Sequence, residues 1–189
     1  MGTVAIMEQR KKIHPHKFTL WIGIGSIVMM FAGLTSAYIV KRNQANWQTF
    51  ELSKAFYFAT AVILVSSITM MMAVKSFKQR EMLKHRSMMA LTFFLGVLFM
   101  ALQIYGFWQL TKAGTTFTKN VSYSFLYTII GIHAAHVLGG VIALGVTYAN
   151  TFRAKKRNYS SVPVELVSTY WHFVDILWIY LLIFLLMIR

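Results

Sequence analysis

Charged residues divide this chain into long apolar runs. Phe18–Val40 lies between Lys17 and Lys41, and Ala55–Val74 between Lys54 and Lys75. Further runs extend from about Ser87 to Leu110, from about Val121 to Ala149, and from Glu165 to Ile188. A bilayer core about 30 Å thick is crossed by roughly 20 helical residues, and each run reaches that length. None alternates with period two, which argues against a membrane β-barrel. Pro163 stands just before the fifth run as a helix-start signal. The pattern predicts an all-α membrane protein: residues 1–17 form an N-terminal segment, and residues 18–189 form one bundle of five transmembrane helices. A basic stretch (Arg10, Lys11, Lys12, Lys17) precedes the first run, as in a signal peptide. With 23 uncharged residues and a poor cleavage site at Thr35-Ser36-Ala37, however, the run reads as a retained helix.

Composition sharpens this picture. The chain of 189 residues is 57% hydrophobic and 13% charged, whereas soluble domains carry about 25% charged residues. It has no Cys, which removes disulfides, Cys-ligated zinc, iron–sulfur clusters and thiol catalysis. The net charge of +14 (19 basic minus 5 acidic) suggests nucleic acid only until its distribution is seen. Nearly every Lys and Arg flanks an apolar run, so no basic face remains for a duplex. The N-terminal segment, the 75–86 stretch and the 153–157 stretch hold 13 basic residues; Lys41, Arg42, Lys54, Lys112, Lys119 and Arg189, on the other side, make 6. By the positive-inside rule the N-terminus is cytoplasmic and the C-terminus faces outward.

Against this background the intramembrane polar residues stand out, because a charge within a span costs about 2.5–3.5 kcal/mol on insertion scales. Glu165, His172 and Asp175 follow one another at intervals of 7 and 3, on one face of the fifth helix. In "GIHAAHVLGG", His133 and His136 share a face of the fourth. That helix also carries Gly131, Ala135, Gly139 and Ala143 at four-residue spacing, a seam that lets a neighbouring helix approach closely. Three readings compete for the polar set. A metal or haem site would need the two Glu-x-x-His motifs and two further Glu of di-iron bundles; with Glu8, Glu51 and Glu81 outside the spans, the ligands fall short. A proton relay is the second reading. The third, and preferred, is a structural network in which buried polar groups satisfy one another and lock helix four to helix five. An aromatic belt and helix packing account for Trp21, Trp47, Trp108, Trp171 and Trp178. The twelve Met residues read as filler on lipid-facing helices, and His14-Pro15-His16 reads as a flexible approach to the first span.

"YWHFVDILW" (Tyr170 to Trp178) resembles the final-helix signature of subunit III of haem–copper terminal oxidases, the cytochrome c oxidase subunit III family. "GIHAAHVLGG" resembles the family's His-x-x-His-Val motif, Glu165 matches its glutamate before the last motif, and "LWIGIGSIVMMFAGLTSAYIVKR" looks like its first core helix. The chain departs from the long family members in having five runs rather than seven helices, and resembles the short form. It also carries Ile27 after Ser26, where the family pattern has a membrane carboxylate. The resemblance implies an accessory subunit without a redox centre or cofactor of its own, in the bacterial cytoplasmic membrane. Haem and copper would belong to subunit I, its main contact, with subunit II and other respiratory subunits nearby. It implies phospholipid binding, stabilisation of subunit I and support of proton uptake, with His133, His136, Glu165, His172 and Asp175 as polar-network or headgroup residues. An aa3-type cytochrome c oxidase is the leading assignment. A quinol oxidase, a nitric oxide reductase and, in another class, a freestanding proton-coupled transporter are the alternatives.

Overall fold

A computed structural model describes residues 15–43, Trp47, 52–153 and 161–188. They form five helices and no strand: α1 (Pro15–Lys41), α2 (Lys54–Lys78), α3 (Met82–Lys112), α4 (Val121–Arg153) and α5 (Val162–Ile188). All five are long and apolar enough to cross a membrane, so the fold is the expected all-α membrane bundle. His14, Asn46, the Lys155–Arg157 cluster and Arg189 lie outside the described residues.

The helices run past the apolar stretches that foretold them. The stretch 75–86, basic enough to read as a loop, is mostly helical: α2 continues to Lys78 and α3 starts at Met82. Long Lys and Arg stems carry their charges outward while the backbone stays paired within the helix. Pro15 and His16 likewise form the first turn of α1 instead of a flexible approach; proline is well placed there because its missing N–H would have no intrahelical partner. The α2–α3 turn is tight. Glu81 N donates to Ser76 O at 3.0 Å, and Arg80 takes a φ of 62°, an uncommon value for a residue with a Cβ. After α3, Gly114 at φ 85° supplies the left-handed stop, with Thr115 N donating to Leu110 O at 3.2 Å. Side chains cap two helix starts: Ser53 Oγ accepts from Ala55 N at 3.2 Å, and Asn120 Oδ1 from Ser122 N at 2.9 Å.

Four helices close a ring, α2 on α3, α3 on α4, α4 on α5 and α5 back on α2; among the described residues α1 touches α4 and α5 alone and lies in the groove between them. Half of the most apolar window of α5 is buried (50%), against 17% for α1, which makes α5 the central helix and α1 the peripheral one. Phe56, Met70, Met89, Phe99, Trp171 and Trp178 fill the interior. Trp171 and Trp178 are therefore core residues, whereas Trp21 (62% exposed) and Trp108 (51%) sit near helix ends as a belt would. The methionines divide in the same way: Met70 and Met89 are fully buried, Met29 and Met187 exposed, so lipid-facing filler describes only some of them. Alternating helix directions bring the starts of α1 and α5 to the same end as the α2–α3 turn and the end of α4. There Lys17 pairs with Glu165 at 2.7 Å, and Arg86 Nη2 donates to Thr151 O at 2.9 Å.

Candidate functional site

Three polar atoms of α5 meet three hydroxyls of α2. Trp171 Nε1 donates to Ser66 Oγ at 3.2 Å, Trp178 Nε1 donates to Thr60 Oγ1 at 2.9 Å, and His172 Nδ1 lies 2.7 Å from Ser67 Oγ. Thr60 and Ser67 are two turns apart on α2 and so share one side of it. Where water is scarce, a donor left without a partner is costly, which is why these hydroxyls belong on this side of an otherwise apolar helix. Asp175 stands on the same α5 face and differs from its neighbours. It is 3% exposed, and neither carboxyl oxygen has a hydrogen-bond partner.

The two histidines of α4 have separate surroundings. His133 is fully buried and stacked on Trp178, with ring centroids 5.2 Å apart, and Phe99 and Phe31 meet it edge-on at 6.3 and 6.4 Å. Neither of its nitrogens has a partner. His136 is half-buried against Phe31, and its Nδ1–H donates to Ile132 O at 2.8 Å; that acceptor is a carbonyl, so the proton must be on the imidazole nitrogen. Tyr170 OH donates to His136 O at 3.1 Å and thereby ties α5 to α4.

The five polar residues singled out in the sequence are thus only partly gathered. His172 meets Ser67, and Asp175 lies one turn along the same helix without a hydrogen-bond partner; His133 and His136 hydrogen-bond to neither; Glu165 is held apart by Lys17. The expected lock between helix four and helix five is made by Tyr170 and by ring stacking. The hydrogen bonds of the α5 polar face go to α2. Among the described residues no group of three or more His, Asp or Glu is placed to hold a metal ion.

The Gly131, Ala135, Gly139, Ala143 row also lies elsewhere than inside this bundle. Gly131, Ala135 and Gly139 are exposed and Ala143 half-buried; a Cβ on Gly131 would meet nothing within 4 Å. Close approach occurs at Gly140, whose Cβ would lie 3.1 Å from the Trp171 ring, and at Gly96, where the distance would be 2.7 Å. Together Gly96 and Gly140 make the slot that Trp171 fills.

Among the described residues, cavities border α1. One of about 340 Å³ is lined by Lys17, Trp21, Glu165, Ser168 and Thr169. An apolar groove of about 430 Å³ runs past Val28, Ala32, Phe173, Ile176 and Tyr180. Ile27 lines a third, also about 430 Å³, with His16, Thr19, Gly23 and Tyr170. Sequence reasoning missed Thr60, Ser66 and Ser67, which are ordinary residues in a membrane helix until α5 is laid against them. It also missed His85, whose Nδ1–H donates to Ala73 O at 2.8 Å, and Gln103, buried with both polar atoms unpartnered. A polar residue recurring on the buried stripe of α3 was the available signal for Gln103.

These features define a multi-pass membrane subunit whose intramembrane polar groups mainly join helices. The sequence model of the family described as "Cytochrome c oxidase subunit III" matches residues 17–188. Among curated relatives, the "Probable cytochrome c oxidase subunit 3" of Nocardia farcinica is 36% identical over 163 residues, covering 84% of this chain and 80% of that protein. Its counterpart in Mycobacterium bovis is 32% identical, with 94% and 93% covered. The "Cytochrome c oxidase subunit 3" of Bacillus sp. is 27% identical, with 85% and 80% covered. The chain belongs to the cytochrome c oxidase subunit III family, and so to a complex with other oxidase subunits.

Proposed function

We propose that this chain is the accessory, non-redox subunit III of an aa3-type cytochrome c oxidase in a bacterial cytoplasmic membrane. It packs against subunit I, stabilises it during oxygen reduction, holds phospholipid and supports proton uptake indirectly. Haem and copper reside in the partner subunit I. The observation that carries the reading is how the family-like face of α5 is used: Trp171, His172 and Trp178 all hydrogen-bond α2, so this face holds the bundle together. Phospholipid binding is supported by the Lys17–Glu165 cavity, whose charges and hydroxyls suit a headgroup, and by the apolar groove on the same pair of helices, which suits an acyl chain. Indirect support of proton uptake is favoured by Ile27, which lines a cavity beside α5 and has no proton to give. A cytoplasmic N-terminus is supported by the gathering of basic helix ends at one end of the bundle.

The test is the turnover lifetime of the purified oxidase with and without this subunit. Its removal is expected to shorten the lifetime and slow proton uptake while haem and copper content stay unchanged. Unchanged lifetime and uptake would overturn the supporting role, and metal in stoichiometric amount on the separated subunit would overturn the non-redox assignment.

A further inference from the structure

Two helices of this chain end in the same turn, with different residues in its left-handed position. After α3 that residue is Gly114, at φ 85°; its N–H donates to Thr111 O at 3.1 Å, and Thr115 N donates to Leu110 O at 3.2 Å. After α2 it is Arg80, at φ 62°; its N–H donates to Phe77 O at 3.1 Å, and Glu81 N donates to Ser76 O at 3.0 Å. Glycine is usual in this closing motif, because a Cβ is strained there. Arg80 therefore keeps a side chain where the backbone favours none. It is exposed, and among the described residues its guanidinium forms no ion pair within the chain.

The surroundings leave that charge uncompensated. Lys75 and Lys78, in the last turn of α2, are also exposed and without an ion pair among the described residues. The described carboxylates at this end are taken, Glu81 by Lys84 at 3.4 Å and Glu165 by Lys17 at 2.7 Å. The 25 residues of α2 span about 37 Å at about 1.5 Å each. That exceeds a hydrocarbon core of about 30 Å, so Arg80 emerges at headgroup level. One turn on, Leu83 is 82% exposed, an apolar side chain suited to the acyl boundary and ill suited to water.

We propose that the α2–α3 turn binds the phosphate of an anionic phospholipid, with Arg80 holding it and Lys75 and Lys78 beside it. A planar guanidinium grips a phosphate through two parallel N–H···O bonds, which an ammonium cannot reproduce. The two lysines add an attraction that salt screens, and Leu83 meets the acyl chains. None of these residues lines the Lys17–Glu165 cavity, which pairs a cation with an anion; the turn offers cations alone and selects a lipid of net negative charge. The proposal requires only that α2 and α3 cross a bilayer, on whichever side the turn emerges.

Arg80→Gly is a clean probe, because glycine takes this φ without strain and the variant should melt close to wild type in neutral lipid. The full chain is placed in nanodiscs of phosphatidylcholine with increasing fractions of phosphatidylglycerol, and its thermal midpoint is followed. A lipid held by the native state alone raises that midpoint. The expected result is a rise in wild type that high salt removes. Arg80→Gly should need an about fivefold higher phosphatidylglycerol fraction for half the rise, the change one surface cation accounts for. Arg80→Lys should recover only part of the loss, and full recovery would refute the guanidinium grip. Lys112→Gln, at the far end of α3, removes an ammonium 3.8 Å from the Trp108 ring centroid and should leave the fraction unchanged. Equal shifts in Arg80→Gly and Lys112→Gln would mean a response to net charge and overturn the site, as would a wild type indifferent to phosphatidylglycerol. An equal rise from inorganic phosphate in pure phosphatidylcholine would assign the turn to a free anion. A rise that needs the other oxidase subunits and no anionic lipid would assign it to an acidic partner segment. Either result overturns the lipid.

Discussion

Trp178 shows how much one side chain joins in this bundle. Its ring stacks on His133 of α4, meets Phe99 of α3 at 5.4 Å and donates Nε1–H to Thr60 of α2 at 2.9 Å. Trp178→Phe keeps most of the ring area and loses the hydrogen bond with a small part of the packed surface. Interhelical hydrogen bonds in membranes are worth about 0.6 kcal/mol on average and at most about 1.7. The variant is therefore expected to lower the thermal midpoint of the full chain modestly, while Trp178→Ala, which also empties a large core site, should cost about 3–5 kcal/mol. Melting curves of the two variants in the same detergent check this, and equal losses would contradict it. The position of Trp178 in a family-like motif was visible in the sequence. Its burial was not, because an aromatic near the middle of an apolar helix reads equally well as packing or as lipid contact.

Between helices, the glycines decide which surfaces touch. Gly96 of α3 and Gly140 of α4 flank the Trp171 ring, and the ring is rigid, so an added methyl cannot be accommodated by a side-chain swing. Gly96→Ala is expected to destabilise the chain by about 1–3 kcal/mol through overpacking, against at most about 1 kcal/mol gained in helix propensity. Gly131→Ala meets open space and should leave the stability of the isolated chain unchanged or slightly raised. Thermal denaturation of the two single variants tests the contrast. If Gly131→Leu leaves the isolated chain intact yet lowers the amount of subunit retained in the oxidase, the Gly131–Ala135–Gly139–Ala143 row is a contact with a partner helix. The four-residue ladder was plain in the sequence, and Gly140 beside it was not chosen. A shift of one residue turns the helix face by 100°, and only the position of Trp171 selects between the two faces.

For the molecule in its membrane, the arrangement of charge makes the prediction. Cysteines introduced at Asn46 and Lys155, in a chain that has none, are expected to react differently with an impermeant thiol reagent in intact cells, Asn46 outside and Lys155 shielded. The 13-to-6 division of basic residues sets that direction. Equal labelling would overturn it. Five spans, their approximate limits and the family could be read from sequence alone, because hydrocarbon imposes a length and an apolar composition on each segment before any two helices meet. Their order in space could not. Helix periodicity places His133, His136, Glu165, His172 and Asp175 on faces, but it does not say which neighbour each face will find. The packed bundle sends His172 to Ser67 on α2, buries Asp175 without a hydrogen-bond partner, seats His133 on Trp178 and leaves Glu165 to Lys17 of α1. Such pairings depend on which ridges interlock and which glycines admit a ring, and those are properties of helices in contact.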